Sequence, residues 1–128
     1  MTARGTFDVK TIPQPADIGG GGPFARLYLE KLFHGDLDGT STGQMLGGFT
    51  AVEGSAGYVA LELVTGTLDG RKGSFILQHN GTMQKGVPNL QVAVVPDSGT
   101  GELTGISGKM AIIIEGKQHS YELEYRLE

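Results

Sequence analysis

The sequence predicts an all-β fold, a small closed antiparallel barrel of about eight strands, and three observations carry that expectation. No window of helical length sets apolar residues at i, i+3, i+4 and i+7, whereas many short windows alternate apolar with polar residues. Those windows stop at Gly, Asp or Pro, the residues that turns require. Eight mostly adjacent strands within 128 residues favour closure, because closure removes unpaired edges. A two-sheet sandwich is the alternative architecture.

Strands are expected over residues 4–12, 24–34, 40–53, 58–68, 72–85, 89–95, 106–115 and 118–127. A long Gly-rich connection, 13–23, separates the first two, and Gly35-Asp36-Leu37-Asp38-Gly39 turns the second into the third. Asp69-Gly70 is a strong hairpin signal, since a type I′ turn needs positive φ at both central residues. Its register pairs Val64 with Phe75, Glu62 with Leu77, Ala60 with His79 and Tyr58 with Gly81. Tyr58, Glu62 and His79 then share one face, with Val59, Leu61, Leu63, Ile76 and Gln78 on the other. Both faces are partly apolar, which fits a barrel lined on one side and covered on the other by a neighbouring subunit or a covering segment, and a homo-oligomer is expected. Pro96-Asp97-Ser98-Gly99-Thr100-Gly101 is a further turn cluster. In the last strand His119, Tyr121, Leu123, Tyr125 and Leu127 fall on one side. A Gly116-Lys117 turn sets Ile114 opposite His119, Ile112 opposite Tyr121 and Met110 opposite Leu123, so two patterns agree on the inward face. Glycines inside strands, Gly43, Gly47, Gly48 and Gly66 among them, suit the corners of a small barrel.

Composition narrows the function. Glycine fills 22 of 128 positions without a tripeptide period and only five residues are proline, which excludes collagen and argues for a folded domain. A net charge of -4 with scattered Lys and Arg leaves no basic stripe for nucleic acid or an anionic membrane. With no cysteine there is neither a disulfide framework nor a thiolate zinc site. The N-terminus has no apolar targeting segment and the longest uncharged run, 39–52, is rich in Gly, Thr and Ser, so a cytoplasmic location is expected.

Longer strings are more specific. Lys31-Leu32-Phe33-His34-Gly35-Asp36-Leu37-Asp38-Gly39-Thr40-Ser41 and Tyr58-Val59-Ala60-Leu61-Glu62 resemble the first half of a bacterial domain-of-unknown-function family, family 3224. Gly66-Thr67-Leu68-Asp69-Gly70-Arg71-Lys72-Gly73-Ser74-Phe75-Ile76-Leu77-Gln78-His79 resembles its central hairpin, and Val95 through Gly105 its late turn. That family is similar in fold to allene oxide cyclases, and the resemblance implies an allene-oxide-cyclase-like barrel with a partly apolar interior, usually oligomeric, without implying a reaction. The cyclases' own catalytic residues have no counterpart near the N-terminus here.

Glu62 and His79 are the candidate chemistry: diagonal cross-strand neighbours, roughly 7 to 8 Å apart at Cβ. In an apolar barrel burial would raise the carboxyl's pKa and a charged imidazole would lower it, which is how a general acid or base is tuned. The bland reading is a structural hydrogen-bonded pair. Tyr58 and Tyr121 could add hydroxyls, though each reads better as an aromatic wall with its hydroxyl at a rim. His34, His79 and His119 lie on three strands with no spacing that suggests a zinc site, so no metal and no cofactor is expected. Gln44, Gln78 and Gln91 read as solvent-facing. Gly39-Thr40-Ser41-Thr42-Gly43 matches a nucleophile elbow only on paper, because no helix follows, and the Gly-rich run 19–22 and Gly99-Thr100-Gly101 open no helix that would bind phosphate.

The leading expectation is a barrel that binds a small apolar or amphipathic molecule. Its cavity would be lined by Phe75, Leu77, Ile112, Ile114, Tyr121 and Leu123, with Tyr58, Glu62 and His79 as polar fixtures. The enzyme alternative is an isomerase or cyclase using Glu62 and His79, in which Glu62→Gln removes turnover and leaves the fold intact. The third is a structural module whose barrel is filled by its own side chains.

Overall fold

The computed structural model describes residues 1–15 and 22–128 of the chain, so the Gly-rich connection and the 19–22 run lie largely outside the described residues. Every strand expected from the sequence is present: β1 (Thr2–Gln14), β2 (Phe24–Gly35), β3 (Leu37–Phe49), β4 (Ala56–Leu68), β5 (Arg71–Gln84), β6 (Val87–Val94), β8 (Ile106–Glu115) and β9 (Gln118–Leu127). A two-residue strand, β7 (Thr100–Gly101), is additional. Each of the eight long strands pairs antiparallel with a neighbour on either side, and β9 returns to β1 and β4 to β5, so the sheet is one closed ring and not a sandwich.

Both hairpin registers follow the turn chemistry. Asp69 and Gly70 have φ of 47° and 83°, and Glu62 stands opposite Leu77 and Ala60 opposite His79. Ile112 faces Tyr121 and Met110 faces Leu123. The third strand ends earlier than its pattern suggests: after Phe49 the chain leaves the ladder and Thr50 Oγ1 donates to the carbonyls of Val52 and Ser55 to shape the turn.

The two ends of the barrel differ. At one end Leu37, Leu68, Phe75, Leu103, Ile106 and Tyr125 pack together with almost no exposure. Leu103 reaches this core because the segment between β6 and β8 folds across the opening, where the Glu102 N–H donates to the Lys72 carbonyl and the Ile106 N–H to that of Leu103. The sequence marked this segment only as a turn; it is the plug. Tyr121 bolts the same end, accepting the Leu37 N–H at 2.9 Å and donating to the His34 carbonyl at 2.9 Å.

At the other end the wall is uneven. The β1–β9 ladder stops at Phe7 and His119, while β1 runs on to Gln14 against β2 alone. β6 meets β8 only at Val92 with Met110 and Ala93 with Lys109. Exposure of inward-facing residues rises toward this end: on β8 Ile106 and Met110 are buried, Ile112 is half-buried and Ile114 is 63% exposed. On β4 Val64 and Glu62 are buried and Tyr58 half-buried. Among the described residues, the barrel is plugged at one end and its inward-facing side chains are exposed at the other.

Candidate functional site

Between plug and mouth, four polar side chains from four adjacent strands converge inside the barrel. Alternation along β4 points Glu62 inward with Ala60 and Val64, and the Asp69-Gly70 register sets His79 on the neighbouring strand one step above it. Lys31 of β2 lies directly opposite Ser41 of β3. The Lys31 Nζ donates to Glu62 Oε2 at 2.8 Å, Ser41 Oγ donates to Glu62 Oε1 at 2.8 Å, and His79 Nε2 hydrogen-bonds Oε2. The ammonium also lies 5.0 Å from the centroid of the Phe7 ring, a cation–π contact. All four are buried: Glu62 is 1% exposed and Lys31, the most accessible, 8%. Opposite Glu62 stands Gly43, and a Cβ there would come within 2.2 Å of the Leu61 carbonyl oxygen and 2.7 Å of the Glu62 Cα, so glycine lets β3 close onto β4 at the cluster.

The electrostatics fix the protonation state of the carboxyl. Burial pushes the Glu62 pKa up, but the hydrogen bond from His79 and the charge and hydrogen bond of Lys31 more than reverse this and hold it at about 2. Glu62 is therefore a carboxylate and not a proton donor. Burial, reinforced by the Glu62 charge, raises the Tyr58 pKa, so its phenol keeps its proton. The bond from Nε2 to the carboxylate is the one side-chain hydrogen bond that His79 makes among the described residues. A carboxylate that orients an imidazole in this way leaves the second nitrogen to exchange a proton with a third group.

The residues anticipated from the sequence separate into two levels. Phe75, Tyr121 and Leu123 belong to the packed end and Leu77 to the same core, so they form the floor beneath the cluster. Tyr58 and Ile114 lie toward the mouth, and Ile112, half-buried opposite Tyr121, packs against the edge of that core. The three histidines occupy separate places: His79 in the cluster, His34 exposed against Asp8 Oδ2 at 3.0 Å, and His119 stacked at 5.2 Å on Phe7. Gln44, Gln78 and Gln91 are exposed, and the 39–43 string lies within β3. Outside the barrel, Leu46, Val59, Leu61 and Leu63 are about half exposed beside Ile76 and Val95, lining an open trough of about 910 Å³.

Lys31 and Ser41 were not legible as partners of Glu62. The available signal was parity: Leu29, Lys31 and Phe33 alternate inward on β2, and a single lysine in such a column needs a buried counter-charge. Lys31 also changes what Glu62→Gln does. The substitution strips a buried ammonium of its partner, so it perturbs the fold as well as any chemistry.

A small antiparallel barrel, plugged at one end and, among the described residues, uncovered at the other, with a buried polar cluster between, is the class of protein these features define. The chain belongs to the DUF3224 family, described as proteins of unknown function, whose family model matches residues 3–125. Among solved structures it is similar to a protein of unknown function from the same family in Shewanella oneidensis MR-1, at 51% identity, over 100% of this chain and 97% of that one, with a TM-score of 0.94. No curated protein matches the chain. No helix among the described residues is long and apolar enough to cross a membrane.

Proposed function

We propose that the barrel binds a small apolar or amphipathic molecule through its open end and that copies of the chain associate through the outer apolar trough. One observation carries the binding reading: apolar side chains that face inward become progressively exposed toward the mouth, ending at Ile114, above a cluster of convergent polar groups. A concave apolar surface with a few fixed polar groups at its base is the usual form of a small-molecule site. For association, the trough is apolar, and among the described residues lining it Arg26 is the only ionised side chain whose functional group belongs to the outer face. A second copy would cover the half-exposed Leu46, Val59, Leu61 and Leu63 side chains.

Native mass spectrometry of freshly purified protein, followed by solvent extraction, reads both parts. The expected result is a species of more than one subunit carrying a constant extra mass per chain, released on extraction and lost in Ile112→Asp. A bare mass that no added apolar compound shifts overturns binding, and a monomer overturns association.

The hydrogen bond between His79 and Glu62 supports a second reading, an isomerase in which His79 Nδ1 moves a proton on the bound molecule while Glu62 stays charged. Turnover of an extracted ligand that disappears in His79→Gln supports it. Unchanged ligand after prolonged incubation counts against it.

A further inference from the structure

If the open half of the barrel holds a small molecule, as proposed, the cluster at its base selects that molecule's polar end. Glu62 and Lys31 place one negative and one positive charge side by side there. Their charges cancel locally. The inward-facing neighbours on the other strands are Phe7 and Val9 of β1, Val92 of β6, and Met110 and Ile112 of β8, none of them ionisable, and His119 stands at the rim of β9. What the cluster retains is hydrogen-bonding capacity. The ammonium has three N–H groups, of which Glu62 takes one and the Phe7 ring faces the head group. The Ser41 proton is given to Glu62 Oε1, which leaves the hydroxyl's lone pairs as acceptors.

We infer that the polar end of the ligand is a neutral oxygen function, an alcohol or a carbonyl on an apolar chain, and that carboxylates and amines on the same chain are rejected. A charged head must shed its hydration to reach this depth, and an ion pair already closed on itself does not compensate that loss. A carboxylate drawn to Lys31 also meets Glu62, and an ammonium drawn to Glu62 meets Lys31. A hydroxyl or carbonyl brings no such penalty and finds the donors and acceptors it needs.

The test is calorimetric titration with four compounds of equal chain length: 1-octanol, 2-octanone, octanoate and octylammonium. The neutral pair is expected to bind, and each charged homologue at least about tenfold more weakly. Either charged compound binding as tightly as the neutral pair overturns the inference and leaves the ligand-binding reading standing. If none of the four binds, that reading falls and the inference with it. The double variant Lys31→Met with Glu62→Met, which replaces the pair by apolar groups of similar size, removes the donor that holds the neutral oxygen and is expected to weaken 1-octanol and 2-octanone about tenfold while the charged compounds stay excluded. Undiminished binding of the neutral pair by the folded double variant overturns the inference independently.

Discussion

Lys31 and Glu62 illustrate why a buried ion pair is hard to remove by halves. Replacing Lys31 alone with Met leaves a carboxylate with no counter-charge in the interior, and the expected loss is about 3–5 kcal/mol in urea denaturation. Replacing both residues with Met restores most of it. The same cluster makes the fold acid-sensitive. The Glu62 pKa is held at about 2, below its ordinary 4.5, so its stabilisation is fully present above pH 4.5 and is lost as pH falls from there toward 2. That difference corresponds to about 3 kcal/mol, at roughly 1.4 kcal/mol per pKa unit. Unfolding free energy measured across this window is expected to fall by that amount in the native chain beyond whatever fall the double variant shows. Equal acid dependence in the two proteins would contradict the assignment. The sequence made Glu62 and His79 legible because a hairpin turn fixes their register locally. Lys31 escaped because its contact with Glu62 reaches across β3, so no single turn sets its register, and Ser41 because the 50–55 connection between β3 and β4 is not a two-residue hairpin.

The strands were legible almost to their ends because alternation and turn chemistry are local. The β7 plug was not, since it is two residues long and exists only where the segment after β6 crosses the closed end. Glycine positions within the strands test the packing of neighbouring elements. Gly43→Ala drives a methyl into the β4 backbone beside Glu62, and the expected destabilisation is about 1–3 kcal/mol or more. Gly48→Ala, five residues along the same strand, is the matched control. Its added Cβ meets nothing closer than 3.7 Å, so it is expected to be neutral or to stabilise by about 0.4–1 kcal/mol. Urea midpoints of the two variants distinguish a tight strand contact from a generic intolerance of side chains at these glycines. Equal midpoints would mean that β3 and β4 tolerate separation at the cluster.

For the molecule as a whole, the asymmetry between its ends governs what it does. One end is closed by Leu103 and by the Tyr121 and Tyr125 hydroxyls, the latter donating to Asp69; the other presents inward-facing apolar side chains to solvent. Sequence patterning shows which side chains point inward, but it does not show how deep each one lies, because depth depends on where the chain caps the barrel. For that reason Phe75, Tyr121 and Leu123, which are fully buried, were grouped with Ile112 and Ile114, whose exposure rises toward the mouth. The most direct test of an open, ligand-accepting end is isoleucine-methyl NMR during titration with 1-octanol. Ile112 and Ile114 at the mouth are predicted to shift together and saturably, while Ile106 at the plugged end and Ile76 on the outer face stay in place. Shifts confined to Ile76, or none at any concentration, would contradict a ligand site at the open end.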